Sequence, residues 1–340
     1  MLNRALTAAL LLFIAPGLAF ARGPGSTSAN FLKIGLGARQ VAMGETAVGL
    51  ADDVNSMFYN PAGLGMLVKQ EVSLMHNSYL EGITQEVGAY ALPTRHFGTI
   101  GVGFNLLKVE EFDSFDALDQ QIGTVDAGDL AASVTYAKEI GELRRLSVGG
   151  TARHIRSRLD EVSASASMFD VGVLARYGLE GKYETQYRLG GSIRNIGQEQ
   201  KFINDAFALP QSLHIGGSRG SPMPHPFEDM RINIALDAVV PNDNIPFVTA
   251  GVEVRIVREF AIRLGYRANQ DEGLGLSVGF GFTSLHRGFL PSWVPELSMD
   301  YALVDYGLLE QTHRIGFSMK FGRDKYQRDQ FDLLFDPEEE

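Results

Sequence analysis

From Lys69 to Phe321 the chain reads as a succession of strand-length blocks parted by turn residues, several of them alternating with a period of two. In LGLSVGFGF, Leu274, Leu276, Val278, Phe280 and Phe282 share one face, and Gly275, Ser277, Gly279 and Gly281 share the other. EFAIRLGYR sets Phe260, Ile262, Leu264 and Tyr266 against Ala261, Arg263, Gly265 and Arg267. MRINIALDAVV places Arg231, Asn233 and Asp237 on its polar face. A pattern of this kind sustained over so much chain excludes a helical or α/β fold. It predicts about fourteen strands, from Gln70–Leu80 through Gln211–Ser218 and Leu274–Ser284 to Gln311–Phe321, most near the length a tilted strand needs to cross a bilayer.

Alternation alone suits a soluble sandwich as well as a membrane barrel, and three features separate them. Glycine, 38 residues in all, falls heavily on the polar face, where it makes room in a crowded lumen and gives a solvated face nothing. Charges of both signs also occupy that face: Arg231, Asp237, Glu253, Arg255, Arg263, Arg267, Asp300 and Lys320. Tyr79, Tyr90, Phe97, Tyr177, Phe247, Tyr301 and Phe321 gather near predicted strand ends, as aromatic girdles do at membrane interfaces. The predicted fold is a closed antiparallel transmembrane β-barrel.

The first 21 residues read as a secretory signal peptide, with Arg4 in the basic region, an apolar stretch from Ala5 to Ile14 and Ala19-Phe20-Ala21 as the cleavage site. There is no cysteine, so the chain carries no lipid-modified cysteine and no disulfide, and a large closed sheet must supply stability. A net charge of −11 excludes nucleic acid as a partner. After the signal peptide no apolar run suffices for a membrane helix, which leaves a barrel as the means of crossing lipid.

Ahead of the strands lies ADDVNSMFYNPAGLG. Asp52 and Asp53 begin a short helix, Asn60 and Pro61 read as N-cap and first residue of another helical turn, and Gly63 and Gly65 release the chain. With the N-terminus on the periplasmic side, the long connections KVEEFDSFDALDQQIGTVDA and IGQEQKFINDAFALP face outward and most of the tight turns face inward. The acids Glu110, Glu111, Asp113, Asp116 and Asp119 match no calcium-loop spacing and read as a solvated loop.

Catalytic signals are absent from the sequence. Gly216–Gly220 fits G-x-S-x-G, but prolines follow in place of the helix a nucleophile elbow requires, so the run reads as a strand end. The seven histidines have no metal-ligand spacing, and His214 and His313 fall within strands. These readings predict a non-enzymatic protein with no metal and no cofactor.

Three segments carry a family resemblance: ANFLKIGLGARQVAMGETAVGLADDVNSMFYNPAGLG (Ala29–Gly65), ALPQSLHIGGS (Ala208–Ser218) and MDYALVDYGLLEQTHRIGFSMKFG (Met299–Gly322). Together they resemble the PorV/PorQ proteins, which are themselves similar to FadL fatty-acid channels. The resemblance implies a barrel of fourteen strands over 69–322 with residues 22–68 as a hatch inside it, so that Asp52, Asp53, Asn60, Pro61, Ala62 and Gly63 belong to a plug. Arg314, Gly316, Phe317, Met319 and Phe321 match the closing-strand pattern of outer-membrane barrels. Residues 323–340 form an acidic periplasmic tail. The implied function is protein export or surface attachment linked to type IX secretion, with secretion components and exported proteins as partners. The alternative is a FadL-like channel for hydrophobic ligands such as long-chain fatty acids. Either places the protein in a Gram-negative outer membrane, against lipid and lipopolysaccharide.

Overall fold

A computed structural model describes residues 23, 25–141, 145–178, 184–224, 226–227, 230–256, 259–270, 273–284 and 295–326. The predicted signal peptide, and all of the predicted tail past residue 326, lie outside them. The strands are β1 (Gln70–Ser78), β2 (Ile83–Thr94), β3 (Gly98–Val109), β4 (Phe112–Phe115), β5 (Gln121–Val125), β6 (Ala127–Ile140), β7 (Leu146–Leu159), β8 (Val162–Gly178) and β9 (Gln186–Gly197). They continue as β10 (Gln200–Phe202), β11 (Asp205–Phe207), β12 (Ser212–Pro222), β13 (Arg231–Pro241), β14 (Phe247–Ile256), β15 (Phe260–Arg267), β16 (Leu276–Thr283), β17 (Glu296–Asp305) and β18 (Gln311–Phe321).

Fourteen of these strands close into one antiparallel barrel. Each pairs with its sequence neighbours, and β18 returns to β1 in a register running from Gln70 opposite Phe321 to Ser78 opposite His313. The closing strand is therefore the segment that holds Arg314, Gly316, Phe317, Met319 and Phe321. The remaining four strands form two small hairpins, β4 with β5 and β10 with β11, inside the two long connections. Composition hides these hairpins: of the acids that make the first segment look like a solvated loop only Asp113 lies on a strand, and both strands there are exposed along most of their length.

The alternation decides which face meets lipid. On β16, Leu276, Val278, Phe280 and Phe282 are exposed and Ser277 is buried; on β15, Ile262 and Leu264 are exposed and Arg263 is buried. The apolar row thus points outward and the polar row into the bore, which inverts the arrangement of a soluble protein. The aromatic girdle is only partial. Phe97 and Tyr177 are exposed near strand ends and Tyr90 stacks on Phe321. Tyr79 instead packs edge-on against Tyr306, and Phe247 lines an internal chamber.

Gly216–Gly220 lies within β12, not at its end: the strand continues to Pro222, where a missing N–H is tolerated at a terminal position. Ser218 is buried and donates its hydroxyl to the Gly49 carbonyl at 2.9 Å, so it serves packing and not nucleophilic chemistry.

Candidate ligand chamber and luminal segment

The segment ahead of β1 is built from turns short enough to fit a bore. It contains the 3-10 turn Asn30–Lys33, the helix α1 (Ala38–Ala42), and two further 3-10 turns, Val54–Phe58 and Pro61–Met66. Asp53 caps the first of these two by accepting from the Asn55 N–H at 3.0 Å. Asn60 caps the second through the Ala62 N–H at 3.2 Å, with Pro61 in the first turn. Buried backbone requires partners of this kind, which is why capping residues and glycines punctuate the segment.

Strands from all round the barrel reach this segment. Ser147 on β7 donates to the Ala62 carbonyl at 2.7 Å, Ser192 on β9 to the Tyr59 carbonyl at 2.8 Å, and Thr46 meets Thr249 on β14 at 3.0 Å. Asn60 spans to the Val173 carbonyl of β8, and Asn55 reaches Ser73 of β1. Asp237 of β13 accepts the backbone N–H groups of Ala47 and Val48 at 2.8 and 2.9 Å. Contacts from so many directions place residues 30–67 inside the cylinder. There Val54, Met57, Phe58 and Leu64 form an apolar core with Met75, Val87, Ala89 and Ala137 of the wall. Each such side chain contributes about 1.5–3 kcal/mol by leaving water.

Close approach explains the glycines of the inner face. A Cβ on Gly49 would lie 2.6 Å from the Gly217 Cα, and one on Gly149 would lie 2.6 Å from the Pro61 carbonyl carbon. Backbone passes over backbone at both points.

Two of the predicted lumen charges, Arg255 and Arg263, converge on a third, Glu253, which is fully buried. Its carboxylate accepts from Arg263 Nε at 2.8 Å, Arg255 Nε at 2.9 Å, Asn233 Nδ2 at 2.8 Å and Arg39 Nε at 2.9 Å. Arg263 also reaches Asp300 at 2.7 Å. From α1, Arg39 extends the cluster to Asp52 at 2.5 Å and Asp53 at 3.1 Å, and Arg188 closes on Asp52 at 3.0 Å. Burial alone would raise the Asp52 carboxyl, but Arg39 and Arg188 outweigh it and hold the group well below the usual carboxylate range. The other predicted charges stand elsewhere. Arg267 pairs with Glu45 at 2.8 Å, Asp237 holds the turn at Ala47, and Arg231 reaches the Glu184 carbonyl at 3.3 Å. Arg39 was not legible as a member of the cluster, because a single arginine in a glycine-rich lead carries no periodic signal.

Two cavities flank this segment. One, polar and about 560 Å³ including the space open to solvent, is lined in part by Arg39, Asp53, Glu71, Arg255, Arg263 and Lys320. The other, about 780 Å³ including the space at its mouth, lies between Leu32–Leu36 and the ends of β9 and β12 to β15. Its lining is mainly apolar, with Leu36, Tyr59, Val239 and Phe247 among its walls. Charged and polar groups line it as well, with Lys33, Glu45, Arg194, Asp243 and Arg267 among them. The Arg194 guanidinium lies 5.4 Å from the Tyr59 ring centroid, Arg267 stacks 4.9 Å from that of Phe247, and His214 contacts Ser212 at 2.9 Å. Such a lining orients a small, mostly apolar molecule. Among the described residues no cluster of three histidine or acidic side chains could hold a metal.

No family model and no curated protein matches the chain. Solved structures do. The Ralstonia pickettii toluene transporter TbuX aligns over 85% of this chain and 98% of its own, with 12% identity and a TM-score of 0.53. The monoaromatic hydrocarbon channel CymD aligns over 86% and 99%, with 14% identity and a TM-score of 0.50. A deletion mutant of the monoaromatic hydrocarbon channel TodX aligns over 85% and 98%, with 11% identity and a TM-score of 0.50. The chain has the fold of these channels. Identity this low carries the fold and no more. The channel-type barrel is thus common ground, whereas the narrower PorV/PorQ resemblance rests on the three sequence segments alone.

Proposed function

We propose that the protein is an outer-membrane channel for small hydrophobic molecules, with residues 22–68 as its hatch. The carrying observation is the mainly apolar chamber beside Leu36, Tyr59, Val239 and Phe247, bounded by that segment and by the ends of β9 and β12 to β15. An apolar molecule gains by leaving water for the apolar part of these walls, and the polar groups among them fix its orientation. Likeness to channels named for toluene and monoaromatic hydrocarbons agrees with that chemistry. Aromatic hydrocarbons and long-chain fatty acids are the ligand classes to compare. The chamber lends the export reading no support.

The test is entry of labelled toluene and labelled oleate into liposomes bearing the purified protein. Wild type accelerates entry of at least one of them over empty liposomes. Ser212→Trp, which fills the chamber, abolishes the acceleration while the barrel stays folded. Equal rates for wild-type and empty liposomes with both compounds would refute the reading.

A further inference from the structure

The barrel wall is uneven in height. β6 and β7 have 14 residues and β8 has 17, whereas β15 and β16 have 8 each. At roughly 3.3 Å per residue the longer strands outreach the lipid-facing band on their side. The outward faces record where that band stops. On β7 the outward row runs Leu146, Val148, Gly150 and Ala152, then changes to His154, Arg156 and Arg158, all exposed. On β8 Tyr177, Val171 and Phe169 give way to Ser167, Ser165 and Ser163. On β3 Val102, Phe104 and Leu106 end at exposed Lys108. The opposite wall has no such border: Val240, Val248, Tyr266 and Leu276 keep β13 to β16 apolar to their ends.

Pair register brings the basic residues together, with Lys108 opposite Gly128, Gly128 opposite Arg158 and Leu130 opposite Arg156. Lys108 and Arg156 make no ion pair among the described residues, while Arg158 meets Asp126 at 3.3 Å. His154 bonds Ser167 at 3.0 Å. The acids Glu110, Glu111, Asp113, Asp116 and Asp119 begin only past the end of β3, one level farther from the apolar band. In a chain of net charge −11, a basic strip on the lipid side immediately above the apolar band is complementary to anionic head groups.

We propose that Lys108, Arg156 and Arg158, with His154 and the serines of β8, form a docking face for the phosphorylated head group of an outer-leaflet glycolipid of the lipopolysaccharide class. The face rests on the outer-membrane reading and is independent of what the channel carries. Its apolar border takes the acyl chains and its cations take the phosphates, so one lipid spans both.

The test is binding of purified rough lipopolysaccharide to the full protein in detergent micelles, read by native mass spectrometry. The probes also include the dephosphorylated glycolipid, phosphatidylglycerol and inorganic phosphate. The combined variant Lys108→Ala, Arg156→Ala and Arg158→Ala loses affinity on the order of tenfold to a hundredfold, given a modest gain per cation near an anionic surface. Tyr266→Ala on the opposite wall leaves binding unchanged, and removing the glycolipid phosphates weakens it as the combined variant does. If the combined variant misfolds, Arg156→Gln gives a smaller loss in the same direction. Unchanged binding in the folded variants, full binding of dephosphorylated glycolipid, or equal binding of phosphatidylglycerol overturns the proposal. So does displacement by inorganic phosphate, or a dimer that forms through this face without lipid. Loss of transport with intact glycolipid binding would count against the channel alone.

Discussion

Arg39 on α1 and Glu253 on β14 meet inside the barrel with Nε and Nη2 at 2.9 and 3.2 Å from the two carboxylate oxygens, 214 positions apart in the chain. The leading segment is thereby joined to the wall by a two-point bond, and Arg255 and Arg263 share the same carboxylate.

Glu253→Gln leaves three guanidiniums around a neutral amide, and Arg39→Ala leaves the carboxylate with its wall partners only. Removing one member of a buried ionic group costs about 3–5 kcal/mol, so both variants lower the unfolding temperature in detergent, Glu253→Gln the more. Arg39→Ala also loosens the segment, seen as larger and more frequent openings in planar-bilayer recordings. Traces identical to wild type would show that the cluster does not hold the bore closed.

Asp237 holds the turn at Ala47 through two backbone N–H groups. A hydrogen bond contributes about 0.5–1.5 kcal/mol net, and Asp237→Leu abolishes both. Hydrogen exchange of the Ala47 and Val48 amides accelerates in this variant, while amides of the β15–β16 pair keep their protection. An acceleration spread evenly over the barrel would mean that Asp237 stabilises the fold generally.

Neighbouring glycines on β7 give a matched pair. A Cβ at Gly149 would strike the Pro61 carbonyl, but one at Gly150 faces outward with its nearest atom, the Asp170 carbonyl oxygen, at 3.5 Å. Gly149→Ala therefore destabilises the protein by about 1–3 kcal/mol, as overpacking does, and Gly150→Ala changes little. Thermal unfolding of the two variants decides it, and equal midpoints would contradict backbone contact at Gly149.

Acid releases the segment in a definite window. The Asp52 carboxyl is lowered in the folded protein by Arg39 and Arg188, so its contribution is present above the unfolded value of about 3.9 and is lost as pH falls toward the folded value. The Asp52 contribution to docking is unchanged from pH 7 to about 5 and weakens progressively below about 4. Protease cleavage between Gly37 and Gly49, measured against pH with an acid-stable protease, follows this course in wild type. In Asp52→Asn the cleavage is raised already at pH 7. A release beginning near pH 6 would count against Asp52 as the group responsible.

The barrel was legible because its rule is local: a residue on a strand faces lipid or lumen by parity, so Leu276, Ser277 and Val278 declare the sheet without reference to anything distant. The caps at Asp53 and Asn60 were legible for the same reason, being bonds made within two residues. Other features needed the closed ring. Tyr79 and Phe247 fall near strand ends in the sequence, yet strand parity and packing turn them toward the bore.

What the sequence determined by itself was a set of alternating strands, a glycine-rich inner face and a capped lead of short helical turns. What only the tertiary structure decided was the company each inward group keeps. Arg39 finds Glu253, Asp237 finds Ala47 and Gly49 lies on Gly217 because closing a cylinder around its own leading segment brings together groups that alternation orients but cannot pair.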